Sequence, residues 1–130
     1  MIEGSCHCGA VHWRLEGIPD HATACNCSIC RRYGTLWAYG HEGEDIFVSG
    51  ETRAYSWGDR DLGFHACPTC NCLAYWRPLK ADENGRRRMG VNLRLAEPDA
   101  VAAIPIKHLD GFGDWKTVER PAACVADMWF

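Results

Sequence analysis

Seven of the nine cysteines in this 130-residue chain fall into three close groups: Cys6-x-Cys8, Cys25-x-Cys27-x-x-Cys30 and Cys67-x-x-Cys70. Each spacing suits chelation of one metal ion. In an extended segment residues i and i+2 share a face, so Cys6 and Cys8 can reach adjacent corners of a tetrahedron. In "CPTC" a tight turn brings both sulfurs together while backbone N–H groups support them. The residue after such a turn commonly has positive φ, and Asn71 is among the few non-glycine types that tolerate it. A single CxxC is a weak signal, but three chelating groups in one short chain make a strong one. Two plus two plus three ligands divide economically into one closed four-thiolate site and one three-thiolate site. Local chelation keeps Cys25, Cys27 and Cys30 together. Spacing alone does not fix which groups join. His65, two residues before Cys67, reads as a strand histidine; it would support the ligands, or be one itself, only in an alternative partition.

Composition bounds the setting of these thiols. The formal charge is -3. It falls to about -6 once four thiolates bind one divalent ion and three bind another. An acidic chain argues against general nucleic-acid binding, which needs a basic face. The start "MIEGSCHCGAV" has no basic segment followed by an apolar run, and no apolar run approaches the ~18 residues needed to span a membrane. The expected setting is therefore a reducing, cytoplasmic one without membrane attachment, where clustered cysteines bind metal rather than form disulfides.

The elements that must hold these groups read as short strands. "VHWRLEG" alternates apolar Val11, Trp13 and Leu15 with polar neighbours, the pattern of a half-buried strand. "TLWAYG", "DIFVSG", "RAYSWG", "LGFHAC" and "CLAYWRPL" continue the series. "CSICRRYG" suits one helical turn closed by Gly34, and Asn84-Gly85 suits a tight hairpin into "RRRMGVNLRL". "AEPDAVAAI" predicts a short helix after Pro98, and "AIPIKHL" a late strand. The whole of 1–130 is expected to form one mostly β domain with little helix.

"GSCHCGAV", "CNCSICRRYG" and "CPTC", in that order, resemble the glutathione-dependent formaldehyde-activating enzyme family, which includes centromere-protein-V-like proteins. "VNLRLAEPDAV" and "IPIKHLDGFGDW" are similar to its C-terminal half, so the resemblance runs over nearly the whole chain. It implies a β-tent fold, with antiparallel sheets pinned by zinc. It also implies two zinc ions: a structural one on Cys6, Cys8, Cys67 and Cys70, and a catalytic one on Cys25, Cys27 and Cys30. The implied reaction is reversible addition of glutathione to formaldehyde, a carbon–sulfur lyase step giving S-hydroxymethylglutathione. Two positions differ from the usual pattern. Asn26 stands where the family has histidine, and Asn71 where it has glycine, with Cys72 following as an extra thiol near the four-cysteine set.

An open three-thiolate zinc is a weak Lewis acid and prefers a soft sulfur ligand, so thiol binding and release is its expected chemistry. A small anionic thiol such as glutathione needs local cations. Arg31 and Arg32, directly after the triplet, are the candidates, since the guanidinium fork matches a carboxylate. Arg86, Arg87 and Arg88 read as a solvated strand end, Lys107 and His108 as the edge of the core, and His7 as exposed. Trp37, Tyr39, Trp57, Tyr75 and Trp76 are expected to fill the core, with one or two free to cover a substrate. Cys72 and Cys124 read as packing residues. The alternative to an enzyme is a non-catalytic zinc-stabilised binding module. A permanent fourth protein ligand at the triplet would favour the module, and an exchangeable one the enzyme.

Overall fold

The computed structural model describes residues 1–129. Eleven short strands occur among them: β1 Ile2–Ser5, β2 His12–Leu15, β3 Ala22–Cys25, β4 Trp37–His41, β5 Ile46–Ser49, β6 Arg53–Tyr55, β7 Leu62–Ala66, β8 Leu73–Pro78, β9 Arg88–Asn92, β10 Ile106–Leu109 and β11 Thr117–Val118. Three short helices, α1 Cys30–Tyr33, α2 Pro98–Val101 and α3 Val125–Trp129, join them. A 3₁₀ turn, Leu93–Leu95, follows β9. None of the described helices is long and apolar enough to cross a membrane.

The strands form two sheets. The smaller has the order β1-β2-β5, and the larger β11-β10-β3-β4-β9-β8-β7-β6. The mostly β expectation with little helix holds, with one difference in pairing: β3 and β10 run parallel. A parallel pair requires a long crossover, and here most of the domain lies between Cys25 and Ile106. The Asn84-Gly85 hairpin is also wider than a two-residue turn. The Asp82 carboxylate accepts from the N–H groups of Asn84 and Arg86, which holds a longer loop between Pro78 and Arg88. Strands β1 and β3 escaped the pattern reading because "IEGS" and "ATAC" are too short or too small-sided to show alternation.

Burial follows the alternation where it exists. Val11, Trp13 and Leu15 are all buried, while His12 between them is exposed. The apolar residues form two clusters. The larger takes in Trp13, Leu36, Ile46, Met89, Val91 and Leu93 together with Cys6 and Cys67. The smaller is Trp37, Phe64 and Leu73 with Cys27 and Cys30. Buried Asn92 ties the large sheet internally. It accepts from the Leu36 N–H and donates to the Leu73 carbonyl, so its polar atoms are satisfied where an apolar residue could not link the segments.

β1 delivers Cys6, and its pairing with β2 places Gly4 opposite Trp13. A Cβ on Gly4 would lie 2.3 Å from the Trp13 ring. That ring is 2% exposed and packs within the larger core cluster. Gly4→Ala is therefore expected to destabilise the fold by about 1–3 kcal/mol through overpacking. Thermal denaturation should show a melting temperature several degrees lower; an unchanged one would mean that the ring can move.

Candidate metal centres and the chamber above one of them

The four-cysteine set joins the two sheets. Cys6 and Cys8 follow β1 of the small sheet, whereas Cys67 and Cys70 lie between β7 and β8 of the large one. Their four Sγ atoms all lie within 4.8 Å of one another. Cys6 to Cys8 and Cys8 to Cys67 are each 3.6 Å. A tetrahedral zinc with Zn–S bonds of about 2.3 Å places its sulfurs about 3.8 Å apart, so these residues fit such an ion. Backbone donors support the sulfurs, with Val11 N–H reaching Cys6 Sγ at 3.2 Å. In "CPTC" the Asn71 N–H donates to the Cys67 carbonyl, and Asn71 has φ 63°, the left-handed conformation expected of it. The N–H of Cys72 is the main influence on the Cys70 thiol, holding it down at about 5, and the N–H of Cys70 likewise lowers Cys67. The turn thus stabilises thiolate on both of its cysteines.

The triplet comes from one continuous segment: Cys25 ends β3, Cys27 lies in the turn, and Cys30 opens α1. Gly34 closes that helical turn in the left-handed conformation, its N–H donating to the Cys30 carbonyl. The three Sγ atoms lie within 4.8 Å of one another, and among the described residues no fourth His, Cys, Asp or Glu joins the group. The Cys27 N–H donates to Cys25 Sγ at 3.4 Å, and the Trp37 indole donates to Cys30 Sγ at 3.3 Å. The hydrogen bond from the Cys30 thiol lowers Cys25 to about 6, while Cys30 is raised by donating that bond and by burial. Of this bonded pair Cys25 is the more readily ionised, and a bound dication would favour thiolate on its ligands.

A loop from the other side of the parallel pair closes over these sulfurs. Asn26 donates to Asp110 Oδ1 at 3.0 Å and accepts from the Phe112 N–H at 2.9 Å. The Asn26 bond also keeps the Asp110 carboxyl below its usual range. A Cβ on Gly111 would lie 2.8 Å from both Cys25 Sγ and Cys27 Cβ, and 2.9 Å from the Trp115 ring. Only glycine lets the backbone approach the sulfurs this closely. Asn26 therefore anchors the loop instead of offering a ligand. Gly111, Asp110 and Trp115 were missed as site residues, although the glycine-rich "DGFGDW" was a visible signal.

The triplet forms the floor of a cavity of about 430 Å³. Its walls are Ile29, Trp37, Tyr39, Trp57, Leu62, Phe64, Trp76, Leu109 and Trp115, and Asp59 is its one charged lining residue. Tyr39 and Trp76 thus face this space as well as packing on the smaller core cluster, whereas Trp57, expected in the core, is 45% exposed and stands at the chamber wall. Tyr39, Trp76 and Leu109 also line a neighbouring groove that carries Arg88, Lys107, His21 and His41 together with Asp20 and Asp45.

The other candidate residues occupy varied positions. Arg31 is exposed and lies 5.6 Å from the Phe112 ring, and Arg32 donates to the Ser28 carbonyl; neither lines the chamber. Arg86 and Arg87 pair with Glu44 and Glu42, as a solvated strand end would, but Arg88 stacks 4.4 Å over Tyr39 at the rim of the groove. Lys107 lines that groove, whereas His108 is 2.7 Å from the Ala122 carbonyl. His65 bonds Thr52 and stacks on Tyr75, outside the four-sulfur set, and burial pushes it down to about 4. It is a neutral strand histidine. Cys72 is half-buried against the larger core, and its carbonyl accepts from the Cys67 N–H; its sulfur is not one of the four. Cys124 is half-buried rather than fully buried, because it precedes α3 and its N–H is capped by Asp127. His7 is exposed.

Comparison with known proteins places this arrangement. A Halomonas elongata protein named "Putative glutathione-dependent formaldehyde-activating enzyme" is 33% identical over 91 residues, covering 58% of this chain and 55% of that protein. The chain thus spans about half the length of the curated relative it matches. A crystal structure of a Rhodobacter sphaeroides protein superimposes with a TM-score of 0.60 at 28% identity, covering 81% of this chain and 99% of the other. The model of the glutathione-dependent formaldehyde-activating enzyme family matches residues 1–104, and the chain belongs to that family.

Proposed function

We propose that this chain is a zinc-dependent carbon–sulfur lyase that reversibly joins a small thiol, glutathione, to an aldehyde. Formaldehyde is the aldehyde named in the family's description. The observation that carries this reading is the set of three converged sulfurs, joined by no fourth His, Cys, Asp or Glu among the described residues and opening into a chamber. Cys25, Cys27 and Cys30 hold the catalytic zinc, and Cys6, Cys8, Cys67 and Cys70 hold a structural one, all within one domain spanning 1–130 in the cytoplasm. A zinc ion on three thiolates supplies an open position suited to a soft thiol sulfur.

The chain's own residues supply the rest. Gly111 lets the loop backbone approach Cys25, and the Trp37 indole fixes Cys30. With a substrate covering the exposed Trp57 and Trp115, the apolar walls would exclude water and strengthen the charge interactions inside. In the addition, the S–C bond forms as the carbonyl π pair moves to oxygen, which takes up the proton given by the thiol. Cleavage is the reverse. Arg31 and Arg32 lie outside the chamber, Arg32 beside an adjacent surface hollow, and are the alternative to the Arg88 and Lys107 groove as the seat of the glutathione carboxylates.

The two sulfur sets should respond differently to mutation. Cys70→Ser is expected to abolish cooperative folding, because affinity for a structural zinc is folding free energy. Cys27→Ser should lower bound zinc from about two equivalents to about one while the melting transition persists. Metal analysis alongside thermal melts checks both, and global unfolding of the Cys27 variant would make the triplet structural. Gly111→Ala should likewise weaken zinc retention at the triplet alone, as measured by competition with a chelator. In the cobalt-substituted protein, glutathione is expected to shift the visible bands of one site and leave the other unchanged. Bands indifferent to glutathione would favour the binding module.

A further inference from the structure

We propose that the aldehyde this site takes carries a bulky apolar substituent, enclosed by the aromatic chamber over Cys25, Cys27 and Cys30. The proposal rests on the thiol–aldehyde addition above and narrows its substrate class.

Size is the first ground. Formaldehyde has two heavy atoms, whereas the chamber measures about 430 Å³, more than ten times the ~30 Å³ share of one water molecule. Chemistry is the second. Four tryptophans and a phenylalanine face the chamber, and its one charged lining residue, Asp59, is an anion. Glutathione bears two carboxylates, an ammonium group and two amides. Burying these against indole rings without partners is costly, and Asp59 repels the carboxylates. The body of the thiol therefore belongs elsewhere, and the polar groove, whose Arg88 and Lys107 can meet carboxylates and whose Asp20 and Asp45 can meet the ammonium group, joins the chamber at Tyr39, Trp76 and Leu109. With the thiol body in that groove and its sulfur at the triplet, the space left beside the reacting carbon is lined mainly by aromatic and aliphatic side chains.

Exposure is the third ground. Trp57 is 45% exposed and Trp115 61% exposed at the chamber wall. Large apolar side chains left open around a pocket mark a ligand that covers them. The bonding changes are those of the addition already described. The sulfur bonds the carbonyl carbon, the π pair goes to oxygen, and the thiol proton follows; no oxidant or reductant is needed.

Isothermal titration of the zinc-loaded protein with S-benzylglutathione and S-methylglutathione tests this. Both thioethers keep the thiol body and place a large or a small group where the adduct carbon would sit. The benzyl compound is expected to bind at least tenfold more tightly. Trp57→Ala, at an exposed position and with zinc content verified as unchanged, should cut that advantage at least threefold. Equal affinity of the two thioethers would overturn the apolar-aldehyde proposal and leave the glutathione reading intact. An advantage undiminished in Trp57→Ala would put the benzyl group outside the chamber and also overturn it. Binding of neither compound would overturn the glutathione reading, and this proposal with it.

Discussion

Seven thiols brought into two groups, each with its sulfurs within 4.8 Å of one another, set the terms for the rest of this molecule. Such sulfurs cannot all ionise beside one another unless a cation neutralises them. Left as thiols they share protons, and the lowered Cys25 beside the raised Cys30 is that compromise. Both sets therefore favour a soft dication, and the fold is arranged to keep them converged.

The surroundings of the two sets differ in a way that matters for chemistry. Cys6 and Cys67 belong to the main core, and their cluster links the small sheet to the large one. An ion there ties together segments 59 residues apart in sequence. The triplet is local, so an ion adds little cross-linking of distant chain. Its partners are a second, aromatic cluster and a loop held by Asn26.

The surfaces around the triplet differ in polarity. The chamber is mainly apolar with one anion, while the adjoining groove collects Arg88, Lys107 and two histidines together with Asp20 and Asp45. Stacking on Tyr39 holds Arg88 at the join between them, keeping a cation next to an aromatic wall without burying it. Arg31 and Arg32 follow the triplet in sequence but project outward, because α1 buries Cys30 and turns its next two residues to solvent. Adjacency along the chain and adjacency at the site are different things here.

Chelate spacing and period-two burial are local properties, so the three cysteine groups, their order and most of the strands are legible residue by residue. Val11, Trp13 and Leu15 could be read as a buried face, and Gly34 as the end of a helical turn, from neighbours alone. Tertiary structure alone decided which pairs of cysteines converge, because that depends on β1 of one sheet ending beside the β7–β8 connection of the other. It also decided that β3 runs parallel to β10, which brings Gly111 and Trp115 over Cys25 from more than eighty residues away. Long-range pairing of this kind leaves no periodic trace in either segment. The chamber's aromatic walls come from many separate segments, and their common facing exists only once both sheets have formed.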